Sequence, residues 1–302
     1  MQPILHEDSP QLDLIADYAC ETGENPLWHP SEQRLYWTDI PTGRLFRYDP
    51  ASNHHEQIYQ GRPVGGFTFE ADGGLLLFRD RGNIALWRNG EIVTIVPEIP
   101  EELDSRFNDV FADPVGRVFC GTMSSESSKG RLYRLDPDGS LTVILDSIGC
   151  SNGMGFSPDR KTFYYTDSFA GEIYRFDYDI DTGALANQRV FATIPESDGL
   201  PDGLAVDREG RVWSALWDGY AIVRFDQSGN VAARFRFPTR KTSSLAFGGI
   251  DLTDIYVTTA GGQTRQEDGA TAGALFHLRL DATGQPEFFS RIASPLPSHQ
   301  RS

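Results

Sequence analysis

The sequence predicts an all-β protein, a six-bladed β-propeller with four-stranded antiparallel blades, and three observations carry that prediction. Short β-rich runs recur six times, roughly 40 to 50 residues apart, the length of one propeller blade. Most copies are followed by a second alternating run that ends in an acidic turn, and each is preceded by a small, apolar run. No segment of helical period and length interrupts the series.

The recurring run begins at Leu35, Leu75, Val118, Phe163, Val212 and Ile255, as in Leu35-Tyr-Trp-Thr-Asp39 and Phe163-Tyr-Tyr-Thr-Asp167. The strand after it reads Arg44-Leu-Phe-Arg-Tyr-Asp49, Arg131-Leu-Tyr-Arg-Leu-Asp136, Glu172-Ile-Tyr-Arg-Phe-Asp177 and Ala221-Ile-Val-Arg-Phe-Asp226. Asp-Pro, Asp-Gly and Ser-Gly pairs punctuate these runs as turns. Radial repetition also protects sheet edges, so six such units across 1–302 are read as one propeller domain. Its N-terminal run Leu12-Asp-Leu-Ile15 is expected to pair with the C-terminal strands and close the ring.

Composition narrows the partners. Hydrophobic residues make up 39% and aromatics 12%, ample for a packed core. Lys plus Arg number 27 against 43 Asp plus Glu, a net charge of −16. A surface that acidic repels phosphate backbones and anionic lipid heads, so nucleic-acid and membrane partners are not expected. The N-terminal run has no basic start and no sustained apolar stretch, so it is not read as a signal peptide. Cys20, Cys120 and Cys150 form no CxxC pair; three sparse thiols fit a reducing cytoplasm. A monomer is the default expectation.

The small, apolar run is the innermost strand of each blade, packed around the axis. The copies starting at Glu24, Asn108 and Asn152 each reach a proline six residues on, which sets their register without any relative. Asp202 joins them through Gly203 and Asp207. The first position of the six inner strands then reads Glu24, Gly65, Asn108, Asn152, Asp202 and Ser243. Equivalent positions in a radial fold face the same place, here one mouth of the central channel. Two carboxylates sharing a buried funnel cost several kcal/mol unless a cation neutralises them. An all-oxygen set of Glu, Asp and Asn suits a hard divalent ion.

Read singly, Asn152-Gly153 and Asp202-Gly203 are turn formers before strands. Four polar residues in one register, with Glu24 no turn former, favour the metal. The six histidines supply no HxxxH pair, and no GxSxG elbow or phosphate loop exists. Arg106, two residues before Asn108, can hold substrate hydroxyl or carboxylate oxygens with its fork. Glu126, in the Ser-rich loop Met123–Gly130, can reach over the same mouth.

With these residues in view, the sequence resembles the gluconolactonase, senescence-marker-protein and luciferin-regenerating-enzyme family, the regucalcin-like lactonases. The matching segments are Gly23-Glu24-Asn25-Pro26-Leu27-Trp28, Arg106-Phe-Asn-Asp109, Gly121-Thr-Met123, Ser151-Asn152-Gly153, Phe163 to Ser168, Pro201-Asp202-Gly203 and Phe247-Gly-Gly249. The resemblance implies one catalytic divalent cation on Glu24, Asn152 and Asp202, with Asp202 also the base. It places Asn108 beside the metal, and Arg106 and Glu126 in the substrate pocket of a sugar lactone. The same donors accept Ca²⁺, Mn²⁺, Mg²⁺, Zn²⁺ or Fe²⁺. Val110-Phe111 departs from the Gly-Lys common in relatives, and Met123–Gly130 is shorter than the lid of animal relatives. Two other readings of such a propeller are a metal-dependent organophosphate or ester hydrolase and a non-catalytic calcium-binding protein.

Overall fold

The computed structural model describes residues 6–8 and 11–292 of the 302; the ends of the expected 1–302 domain lie outside the described residues. Six sheets stand in a ring, a six-bladed β-propeller. The first blade is typical: Gly23–His29, Arg34–Asp39, Arg44–Asp49 and His54–Gln60 pair antiparallel in chain order, innermost strand first. The inner strands of the next five blades are Val64–Phe69, Phe107–Ala112, Ser151–Phe156, Leu200–Val206 and Lys241–Gly248. The sixth blade draws its outer strand, Asp13–Asp17, from the N-terminal side of the chain, paired antiparallel to Ala274–Arg279. In the fifth blade His6–Asp8 adds a parallel edge strand to Val231–Arg236.

The alternation seen in the sequence is the packing. Trp37, Phe46, Phe67, Phe119, Tyr165 and Trp213 are wholly buried between neighbouring blades. Stacked and edge-on rings join them, such as Trp37 on Phe46 at 5.1 Å and Trp213 on Phe235 at 5.6 Å. Each large ring removes enough apolar surface from water to contribute on the order of 2–3 kcal/mol. After the inner strand, an Asp-x-x-Gly-Arg turn recurs at Asp113–Arg117 and Asp207–Arg211, where the Asp caps its own turn.

All six inner strands carry a register shift at the same place: Glu24/Leu27, Val64/Gly66, Phe107/Val110, Asn152/Met154, Pro201/Leu204 and Thr242/Ser244. A β-bulge re-aims the side chains beside it. Here it accompanies the turn of four inner-strand starts, at Glu24, Asn108, Asn152 and Asp202, into the channel. Gly153 and Gly203 are within these strands rather than in turns. A Cβ on Gly153 would lie 2.4 Å from the Leu204 backbone nitrogen, and one on Gly203 would lie 2.6 Å from Ser244 Cα. Close approach of the next blade is what demands glycine after Asn152 and Asp202.

The opposite end of the channel is closed by the segment 280–292. Gln285 Nε2 donates to the Phe156 and Val206 carbonyls at 3.2 Å, and Arg291 N to Gly116 O at 2.9 Å. Ser290 Oγ donates to Phe69 O at 3.1 Å, while Phe289 packs on His29. Beneath it a cavity of about 60 Å³ holds the carboxyls of Asp109 and Glu287. Burial pushes Asp109 up to about 6; burial and the charge of Asp109 push Glu287 up to about 7. A carboxyl raised above its ordinary value of about 4 stabilises the fold at low pH, and that contribution is lost as pH rises through 6 to 7. Glu287→Gln should therefore leave the melting temperature unchanged near pH 5 and raise it by a few degrees near pH 8. Thermal scans at both pH values check this; an equal offset at both would refute it.

Candidate active site

The bulged starts of four inner strands bring Glu24, Asn108, Asn152 and Asp202 to one cavity of about 310 Å³ at the open mouth. Arg106 joins them from the residue before the third inner strand. Glu24, Asn152 and Asp202 are each 5% exposed and Asn108 8%. The other two register positions stay out of the cavity. Gly65 packs against the Phe107 carbonyl, and the wholly buried Ser243 donates to Gly23 O at 2.5 Å, sealing the joint between the last and first blades.

The polar groups are held in set orientations. Glu24 Oε2 accepts from Asn25 N at 2.9 Å. Arg106 Nη1 donates to Asn108 Oδ1 at 2.5 Å and to Phe107 O at 3.0 Å. Asn108 Nδ2 in turn donates to Asn152 Oδ1 at 2.9 Å and Ser151 O at 2.8 Å.

Electrostatically the site is unbalanced. Burial, then the charge of Asp109, raises Glu24 above the usual carboxylate range. Burial, then Glu24 and Asp109, raises Asp202 well above it. The one guanidinium in the cavity, Arg106, opposes both rises and is itself drawn below its ordinary value by burial. Two carboxylates face one cation in a low-dielectric space, a deficit that a divalent ion would correct. The donor set fits a hard cation: two carboxylates, a carboxamide oxygen, and room for water. Among the described residues no three His, Cys, Asp or Glu side chains gather as a metal cluster, so the set here rests on two carboxylates and a carboxamide.

Glu126 is not brought to this cavity. It is exposed in the loop 123–129, which is tied down where Ser125 and Ser127 donate to Asp104. Val110 and Phe111 do not shape the substrate side either; they line the distal cavity beneath the 280–292 segment. Sequence reasoning missed the wall formed by Met123, Cys150, Phe169, Leu200 and Trp217, together with Thr22 and Ser168. A signal existed. Met123, Ser168 and Trp217 sit at or just past the end of the second strand of their blades, the rung that pairs with the bulged start of the inner strand. The repeat that aligns the inner strands aligns these as well.

Comparison with known proteins agrees with this fold. A family model described as "SMP-30/Gluconolactonase/LRE-like region" matches residues 22–261. A pentonolactonase, XacC of Haloferax volcanii, is 46% identical over 288 residues, covering 92% of this chain and 97% of that protein. Regucalcin of Bos taurus is 33% identical over 83% of this chain and 87% of its own. The solved structure of a luciferin-regenerating enzyme superposes with a TM-score of 0.87 at 27% identity, over 94% of this chain and all of that one.

Proposed function

The chain belongs to the SMP-30/gluconolactonase/LRE-like family and is a lactonase, and from that premise we propose that it hydrolyses a sugar (aldono) lactone to the aldonic acid with a divalent cation held by Glu24, Asn152 and Asp202. The observation that carries this reading is the convergence of two buried carboxylates and two carboxamides on one cavity with a single guanidinium for countercharge. The pentonolactonase relative supports a sugar lactone as the substrate class. When bound, the cation supplies a Lewis acid and acidifies water at neutral pH.

The chain's own residues do the rest. Asp202 accepts a proton from the water that attacks the lactone carbonyl carbon, and returns it to the ring oxygen as the C–O bond breaks. That role needs the ionised carboxylate, the form that nearby positive charge, from Arg106 and a bound cation, favours. Arg106 commits Nη1 to Asn108 and Phe107, leaving its other donors for substrate hydroxyls. Asn108, held by Arg106, orients the sugar beside the cation. Phe169, Leu200 and Trp217 form an apolar wall that displaces water from the ring.

Among the described residues no helix is long and apolar enough to cross a membrane. The three buried, unpaired cysteines support a reducing cytoplasm as the compartment. The acidic composition and the cavity favour a small-molecule substrate over nucleic acid, and a monomer is kept as the default.

The test is a pH-stat assay of aldono-1,4- and 1,5-lactones with Ca²⁺, Mn²⁺, Zn²⁺, Mg²⁺ or Fe²⁺, beside a phosphotriester. Chelated protein should fall to the uncatalysed rate and recover when a divalent ion is added back. Full lactonase activity in metal-stripped protein would remove the cation from this account. Preference for the phosphotriester would change the substrate.

A further inference from the structure

One hydrogen-bonded chain runs through the site with a single possible direction. Arg106 carries only donors, so the end of Asn108 that meets it at 2.5 Å is the oxygen. Asn108 Nδ2 therefore faces Asn152 and takes Oδ1 at 2.9 Å. That turns Asn152 Nδ2 to Ser168 Oγ at 2.8 Å, where the hydroxyl must accept. The one proton of Ser168 then goes to Pro201 O at 2.6 Å, a carbonyl that can only accept. Flipping the Asn152 amide would set it donor against donor with Asn108. It would also call the Ser168 proton away from Pro201 and leave that carbonyl without its donor.

Ser168 is itself immobile: 4% exposed, with its backbone N–H on Cys150 O at 3.0 Å. It touches the amide of one proposed ligand and the peptide that carries the next, Asp202. We infer that Ser168 is a positioning residue that holds the Asn152 carboxamide with its oxygen offered to the cation and pins the Pro201–Asp202 peptide beside it. This rests on the cation reading above. Groups that orient metal ligands in this way change affinity by about 10–100-fold when removed.

The experiment uses the full-length, metal-free protein and Mn²⁺ as the probe, titrated by calorimetry into wild type, Ser168→Ala and Thr68→Val. Thr68 is a buried hydroxyl bonded to Ser290 near the far end of the channel, and serves as the control for a merely structural loss. Ser168→Ala should weaken Mn²⁺ binding by about 10–100-fold, with Thr68→Val near wild type. In parallel, the Asn152 side-chain amide protons should resist solvent exchange in wild-type NMR spectra and lose that protection in Ser168→Ala. Mn²⁺ affinity within twofold of wild type, or an amide pair that stays protected, overturns the inference. Wild type that binds no divalent ion overturns it together with the cation reading, and is told apart because the failure then precedes any substitution.

Discussion

Asp202→Asn should turn over an aldono-lactone about 10³–10⁴-fold more slowly than wild type while keeping the propeller intact. The change is isosteric, so the packing of Gly203 against Ser244 is undisturbed. What goes is a carboxylate to which the mechanism gives two roles, binding the cation and moving the proton. The fold should not suffer, because the unmodified side chain is a buried acid repelled by Glu24 and Asp109. In metal-free protein the asparagine removes that repulsion, and the melting temperature should hold or rise. Steady-state kinetics with excess Mn²⁺, set beside thermal unfolding of the stripped protein, separate the two effects. A kcat within tenfold of wild type would require another base.

The second large effect lies far from the chemistry. Asp113 is wholly buried and accepts four hydrogen bonds. Oδ1 takes Val115 N and Arg117 N at 2.9 Å; Oδ2 takes Arg117 Nε at 2.5 Å and Tyr178 OH at 2.8 Å. Arg117, 6% exposed, reaches on to the Ile180 and Asp181 carbonyls of the fourth blade, so this pair joins two blades. Asp113→Ala leaves the guanidinium buried without its counter-ion and opens the turn it caps. The expected loss is about 3–5 kcal/mol. Adding Arg117→Leu should restore part of it, because the double variant no longer buries an unpaired charge. Denaturant unfolding of the single and double variants measures this; strict additivity would mean that the pair is not coupled.

How much of the site could be read from the chain follows from where its information lies. The blade repeat is a local pattern, two-residue alternation with turns at fixed offsets, and each blade repeats it. Aligning Glu24, Asn108, Asn152 and Asp202 therefore needed only the sequence. Glu126 was legible as a loop residue after a strand, but not as one held away from the mouth, since Asp104 anchors that loop from outside the repeat. The glycines after Asn152 and Asp202 looked like turn formers because their real constraint, a neighbouring strand within 3 Å, comes from the next blade.

By itself, then, the sequence determined an all-β propeller of six repeats and the ring of polar residues at the head of its inner strands. Only the tertiary structure decided which of those residues share a cavity. The shared bulge aims Glu24, Asn108, Asn152 and Asp202 inward, while Ser243 is spent on the joint where the ring closes. The reason is physical. Periodicity is written residue by residue along one strand, whereas the aim of a side chain, the direction of an amide and the closing of a channel depend on contacts between blades far apart in the chain.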